Sequence, residues 1–135
     1  MKIKQISIFL ENVEGRLYRV SSLLGEKDIN IRAITIGESG GVGILRIIVN
    51  KPEDAVNILK QNGFVAQVAD IVAIEVEDRP GGLADILKVL YENNLNVEYL
   101  YGFIEKFCDK ALVAVRFNDP DNAIKILKTN GIKII

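Results

Sequence analysis

Residues recur along this chain at a fixed spacing, and that recurrence limits the fold more than any other feature. Ile8, Gly15, Leu17, Val20, Asn30 and Ile31 reappear 66 residues later as Ile74, Gly81, Leu83, Ile86, Asn96 and Val97. Pro52, Ala55, Leu59 and Gly63 reappear at a spacing of 68, as Pro120, Ala123, Leu127 and Gly131. A repeat of this kind is the mark of a tandem duplication. The second copy carries two extra residues between its paired blocks. Whatever one half folds into, the other half must fold into as well.

The apolar pattern says what that is. Ile3–Leu10 alternates with a period of two, as a half-buried strand does. Leu17, Val20 and Leu24 then mark one face of a helix that runs to about Lys27 and exits through Asp28-Ile29-Asn30. Ile31–Gly37 and Val42–Val49 read as strands joined by a hairpin at Ser39-Gly40-Gly41. A second helix opens at Lys51-Pro52-Glu53-Asp54, with Pro near its first position and acids in its first turn, and stops at Asn62-Gly63. Phe64–Val68 is a fourth strand. The order repeats as strand 71–77, helix 83–93, strand 97–104, loop 105–110, strand 111–117, helix 120–130 and strand 132–135. Each copy is therefore β-α-β-β-α-β, the split βαβ or ferredoxin-like order. The expected class is α+β: two tandem ferredoxin-like units, each an antiparallel sheet with both helices on one face, as right-handed crossovers require. The expected domains are 1–68 and 69–135. A unit of about 65 residues has a marginal core on its own. No flexible linker separates the copies at Gln67-Val68-Ala69-Asp70, so a rigid pair is expected.

Composition removes several function classes. The 135 residues carry 17 basic and 18 acidic groups, and no basic run suits a nucleic-acid backbone. No apolar run approaches the roughly 20 residues of a membrane span, and the N-terminus enters a strand pattern with no signal-peptide core, so a cytoplasmic location and no membrane partner are expected. The chain has no His, which removes the usual general base and the commonest zinc ligand. Cys108, flanked by Lys106 and Lys110, is the only cysteine; with no CxxC and no His partner it reads as an incidental thiol. Neither a catalytic residue nor a metal or other cofactor is expected.

What remains is the turn after the first strand of each copy: Asn12-Val13-Glu14-Gly15-Arg16-Leu17 and Asp78-Arg79-Pro80-Gly81-Gly82-Leu83. A strand that passes into a helix through Pro and Gly leaves free N–H groups at the helix start, a seat for a carboxylate. Asn12 and Asp78 offer acceptors for an α-amino group; they are equally residues that cap helices. The turns and their context resemble the ACT domain, a small-molecule-binding regulatory module of amino-acid metabolism. The signature is Asp or Asn, a variable residue, Pro, Gly, another residue and Leu between strand and helix. The second copy carries it in full; in the first, Glu14 stands in place of Pro. Asn30-Ile31 and Asn96-Val97, which begin the next strand, are also ACT-like. The resemblance implies a non-enzymatic protein that binds an amino-acid effector, with the ligand between the turn of one unit and the second strand of its neighbour. That places Asn30 and Asn96 among the site residues. It also implies pairing of units within the chain or in a homodimer. A regulatory subunit serving a catalytic partner, like the acetolactate synthase small subunit, is the alternative.

Three other features weigh less. Val13-Glu14-Gly15-Arg16-Leu17-Tyr18-Arg19 superficially resembles the acylphosphatase loop, but the chain lacks Trp and the second signature of that enzyme. The Gly-rich stretch 37–43 precedes a strand, not the helix a phosphate loop needs. Tyr99, Tyr101 and Phe103 alternate along one strand, which suits a packed surface or the lining of the ligand site.

Overall fold

The computed structural model describes residues 1–11, 13–105 and 109–135. The chain divides into two compact units. The N-terminal unit is Lys4–Ala69; the C-terminal unit is Asp70–Ile135 together with Met1–Ile3.

The N-terminal unit contains β1 (Lys2–Glu11) from Lys4 onward, α1 (Arg16–Glu26), β2 (Ile31–Ser39), β3 (Val42–Val49), α2 (Pro52–Gln61) and the first part of β4 (Val65–Val76). Its strands lie in the order β2-β3-β1-β4. β3 is antiparallel to both neighbours, with Ile8 opposite Leu45 and Thr35 opposite Arg46. Gly40 and Gly41 turn the β2–β3 hairpin at φ of 60° and 80°, the mirror-image turn that suits strand twist and favours Gly. Alternate residues Ile6, Ile8 and Leu10 of β1 meet Val20 and Leu24 of α1 and Ala55 and Leu59 of α2 in one buried cluster. Both helices thus cover the same face.

The C-terminal unit repeats the plan with the rest of β4, α3 (Gly82–Glu92), β5 (Val97–Gly102), β6 (Ala111–Phe117) and α4 (Pro120–Thr129). Its order is β4-β6-β5, antiparallel throughout. Its core joins Val72, Ile74 and Val76 to Leu90, Ala123 and Leu127, the positions the repeat assigns to it. Each unit has the ferredoxin-like arrangement expected from its β-α-β-β-α-β order. The repeat extends to backbone detail: Asp28 and Asn94, past the ends of α1 and α3, both adopt left-handed φ, at 59° and 57°, a conformation Asp and Asn tolerate better than most residues.

The structure departs from the expected elements in three places. The strands expected at 64–68 and 71–77 are one, β4, unbroken over 12 residues. No Gly or Pro interrupts Val65–Val76, so nothing stops the strand where the repeat ends. The segment expected as strand 132–135 makes a single bridge, Ile134 to Ile74, with Glu75 N–H donating to the Lys133 carbonyl and Ile135 N–H to the Ala73 carbonyl. β5 stops at Gly102, two residues before its expected end at 104. Cys108, and with it Lys106 and Phe107, lies outside the described residues.

Candidate functional site

The two turns are built alike. Gly15 caps α1 with φ 84° and ψ −11°, and Gly81 caps α3 with φ 84° and ψ −7°. A left-handed N-cap costs an L side chain about 1–2 kcal/mol and a glycine almost nothing. Each turn brings the strand end over the first helical turn, with Arg19 N–H donating to the Gly15 carbonyl at 2.9 Å and Asp85 N–H to the Gly81 carbonyl at 3.0 Å. A Cβ on Gly15 would meet nothing within 4 Å, so that glycine is required by its φ and not by packing.

Neither helix takes a side-chain cap. Asp78, one of the two residues with capping as an alternative role, does not cap α3: it lies three residues before the Gly81 cap, exposed and with no hydrogen bond among the described residues. Its carboxylate is open to an incoming donor. Asn12, its counterpart, lies outside the described residues. Val13, Glu14 and Leu17 are exposed around the first turn, as are Arg79, Pro80 and Leu83 around the second. Arg79 bonds to Asp85 at 2.6 Å and to the Pro80 carbonyl at 3.2 Å.

Two of the N–H groups at the helix starts are already engaged. Gly82 N–H donates to the Arg79 carbonyl at 2.9 Å, and Arg16 N–H to the Val13 carbonyl at 3.4 Å. Gly81 and Leu83 N–H donate to no backbone acceptor among the described residues and remain the donors of the second turn.

Asn30 and Asn96 stand at the other end of their own units. Asn30 exchanges hydrogen bonds with Asn50, its N–H donating to the Asn50 side chain at 3.0 Å and the Asn50 N–H to its carbonyl at 3.3 Å. Glu11, just before the turn, is opposite Val42. The length of β3 separates the two, roughly 25 Å at the rise of a strand. Asn96 likewise precedes Val97, which is opposite Phe117, whereas the second turn follows the Val76–Ala111 pair. No unit brings its own Asn and its own turn together. Tyr99 and Tyr101 stack with ring centroids 6.5 Å apart, and Tyr101 is buried.

Sequence reasoning passed over two features. Gly82 is the closest approach in either turn: a Cβ there would lie 2.0 Å from the Glu77 carbonyl oxygen. The doubled Gly81-Gly82 was its only signal. Arg16, at the equivalent place in the first unit, turns inward and lays its guanidinium 4.8 Å above the ring centre of Phe64. Beside the second turn Lys110 donates to Glu77, and that bond, more than any other influence, raises the Lys110 ammonium above its usual 10.5. A cavity of about 370 Å³ lies at the start of α2, lined by Lys4, Pro52 and Val68 among others, and touches no turn residue. Among the described residues no group of acids or thiols is placed to hold a metal, and no helix is long and apolar enough to cross a membrane.

Comparison with known proteins gives this geometry its context. The family model described as an ACT domain pair matches residues 1–135. A crystal structure of a protein from Bacteroides thetaiotaomicron is 38% identical, covers 100% of this chain and 92% of its own, and superposes with a TM-score of 0.93. The ligand-free regulatory subunit of aspartate kinase from Thermus thermophilus has a TM-score of 0.66 at 16% identity, covering 93% of this chain and 91% of that one. The corresponding subunit from Thermus flavus has a TM-score of 0.60 at 14% identity, covering 93% and 90%. The two Thermus proteins share the fold. No curated protein matches the chain. With the family match spanning every residue and both turns built on one backbone geometry, the chain belongs to the ACT domain pair family.

Proposed function

We propose that this protein is a non-enzymatic regulatory protein that binds an amino acid at its β1–α1 and β4–α3 turns. One observation carries the reading: Asp78 presents an exposed carboxylate, free of any hydrogen bond among the described residues, three residues before a glycine-capped helix start whose Gly81 and Leu83 N–H groups have no backbone acceptor. An α-amino group and an α-carboxylate need an acceptor and donors at that short separation. The ligand-binding set is Asn12, Val13, Glu14, Gly15, Arg16 and Leu17 of the first turn and Asp78, Arg79, Pro80, Gly81, Gly82 and Leu83 of the second. Asn30 and Asn96 act on the ligand held by a turn of another unit, within the chain or in a homodimer, because each stands far from its own. The second site is the stronger: it keeps Pro80, while in the first Glu14 places an exposed carboxylate where a bound carboxylate would be repelled. The units 1–68 and 69–135 each supply one turn. The setting is the cytoplasm, with no membrane or nucleic-acid partner.

A thermal-shift series against the common amino acids tests this, since a ligand that binds the folded state raises the melting midpoint further the more its concentration exceeds Kd. One amino acid should raise it with concentration, and Asp78→Ala should abolish the shift. A shift that survives Asp78→Ala would place the ligand elsewhere; no shift with any amino acid would remove the reading.

A second reading, a regulatory subunit with a catalytic partner, is favoured by Leu83, Leu87 and Tyr91. They recur at i, i+4 and i+8 on α3 and are exposed, Tyr91 at 83%. A large subunit retained on the purified protein, and lost with Leu87→Glu, would support it.

A further inference from the structure

Three of the four helices end on asparagine, and in each the side chain locks the end in the same way. Asn62 closes α2, Asn93 closes α3 and Asn130 closes α4. Each Nδ2 donates to the carbonyl four residues back, of Ile58, Val89 or Ile126, at 2.8 Å. The N–H of the following residue is engaged too: Gly63 donates to the Lys60 carbonyl at 3.1 Å, Asn94 to Tyr91 at 3.2 Å and Gly131 to Lys128 at 3.0 Å. All three asparagines are exposed.

An asparagine followed by glycine is chemically labile. The glycine nitrogen attacks the asparagine Cγ: the N–Cγ bond forms, the Cγ–Nδ2 bond breaks, and the proton of the glycine nitrogen leaves with the amide as ammonia. Water then opens the cyclic imide at either carbonyl, giving aspartate or isoaspartate. Asn62-Gly63 and Asn130-Gly131 both have this sequence, and the space a Cβ would take on either glycine is open. At Asn93 the next residue is Asn94, whose side chain hinders the attack. The lock opposes the reaction twice, since it holds the amide on one carbonyl and the attacking N–H on another. What differs between the two Asn-Gly pairs is how the chain continues. After Gly63, Phe64 is buried under the Arg16 guanidinium and Val65 begins the 12 residues of β4. After Gly131, Ile132 is half-buried and the segment meets its sheet at a single bridge, Ile134 to Ile74. Opening of a helix end costs less where fewer contacts break with it.

We propose that Asn130 is a modification site: it converts spontaneously to aspartate and isoaspartate when the last turn of α4 opens, whereas Asn62, in the same sequence and the same lock, is held back by β4. The product cannot rebuild the lock. A carboxylate has no donor for the Ile126 carbonyl, and it puts negative charge at the negative end of a helix. Isoaspartate also adds a methylene to the backbone before Gly131, which together with Gly82 lines a cavity of about 220 Å³ beside the second turn. Conversion therefore loosens the end of α4 next to that turn. The inference does not depend on a ligand at either turn.

The full-length protein, kept folded in mildly alkaline buffer, is digested at intervals and its peptides are resolved by mass spectrometry, with isoaspartate detected by an isoaspartyl methyltransferase. Acid should accumulate at Asn130 about fivefold or more faster than at Asn62, and Asn93 should stay an amide. In urea, which removes both locks, the rates at Asn62 and Asn130 should rise and become alike. Ile134→Ala, which weakens the bridge, should speed conversion at Asn130 and leave it unchanged at Asn62, whose constancy also shows that the variant stays folded. Asn130→Gln, whose longer side chain closes a ring far more slowly, should remove the isoaspartate signal of the faster site. Equal rates at Asn62 and Asn130 in the folded protein, no acceleration in urea, or no response of Asn130 to Ile134→Ala would each overturn the proposal.

Discussion

At the scale of single residues the two turns share a backbone and differ in tolerance. Gly15 and Gly81 have the same left-handed geometry, so Gly15→Ala pays a conformational cost of about 1–2 kcal/mol and meets no neighbour. Gly82 is helical and pays nothing in φ, but its Cβ would collide with a backbone carbonyl, which cannot rotate away as a side chain does. The first unit accepts Arg16 at that position because its turn is looser: the N–H to carbonyl distance that closes it is 3.4 Å, against 2.9 Å in the second. Gly82→Ala should therefore destabilise the protein more than Gly15→Ala, by about 3 kcal/mol as overpacking against rigid atoms does. Urea unfolding of the two variants measures this. Equal midpoints would mean that the second turn relaxes as readily as the first.

At the scale of elements, α2 and α4 are the same helix with different starts. Both open on Pro, carry acids in the first turn and a Lys in the last, and end at Asn followed by a left-handed Gly. Asp119 caps α4 by accepting from Asn122 N–H at 3.1 Å. Lys51, its counterpart, makes no side-chain cap on α2 and adds a positive charge at the end of the helix that disfavours one. Lys51→Asp should raise stability by about 1 kcal/mol, and Asp119→Ala should lower it by a similar amount; chemical denaturation of the pair checks both signs. These helices were fully legible in the sequence, because Pro52, Pro120, Gly63 and Gly131 act locally. The joining of two expected strands into β4 was not, since a repeat boundary invites a break that Gln67-Val68-Ala69-Asp70 does not supply. The site was legible only in part. Pro80-Gly81 announces a turn. The inward course of Arg16 depends on Phe64, far along the chain, and the contact at Gly82 depends on how the turn folds back over Glu77; neither is encoded by a local residue pattern.

At the scale of the molecule, duplication has given two compact units that do not coincide with two halves of the sequence. Met1–Ile3 belong with the C-terminal unit, where the Lys2 ammonium meets Asp121 at 3.1 Å, a bond that raises the Lys2 pKa. That pair is exposed and contributes little stability by itself. The consequence is topological: a cut between Ala69 and Asp70 follows the repeat yet strips the C-terminal unit of three residues at its other end. The piece left has a core built around Val72, Ile74, Leu90, Phe117 and Leu127, within a size range where a single core is marginal. It also keeps Glu75 enclosed, with Lys133 as its nearest cation. Residues 70–135 expressed alone should therefore melt well below the full chain. Adding residues 1–69 in trans should raise the midpoint, because those residues supply Met1–Ile3. Thermal unfolding followed by circular dichroism, with and without the second fragment, makes the comparison. Melting of the isolated fragment at the full-chain temperature would mean that the C-terminal copy is complete without the first three residues, and that the duplication produced two independent domains.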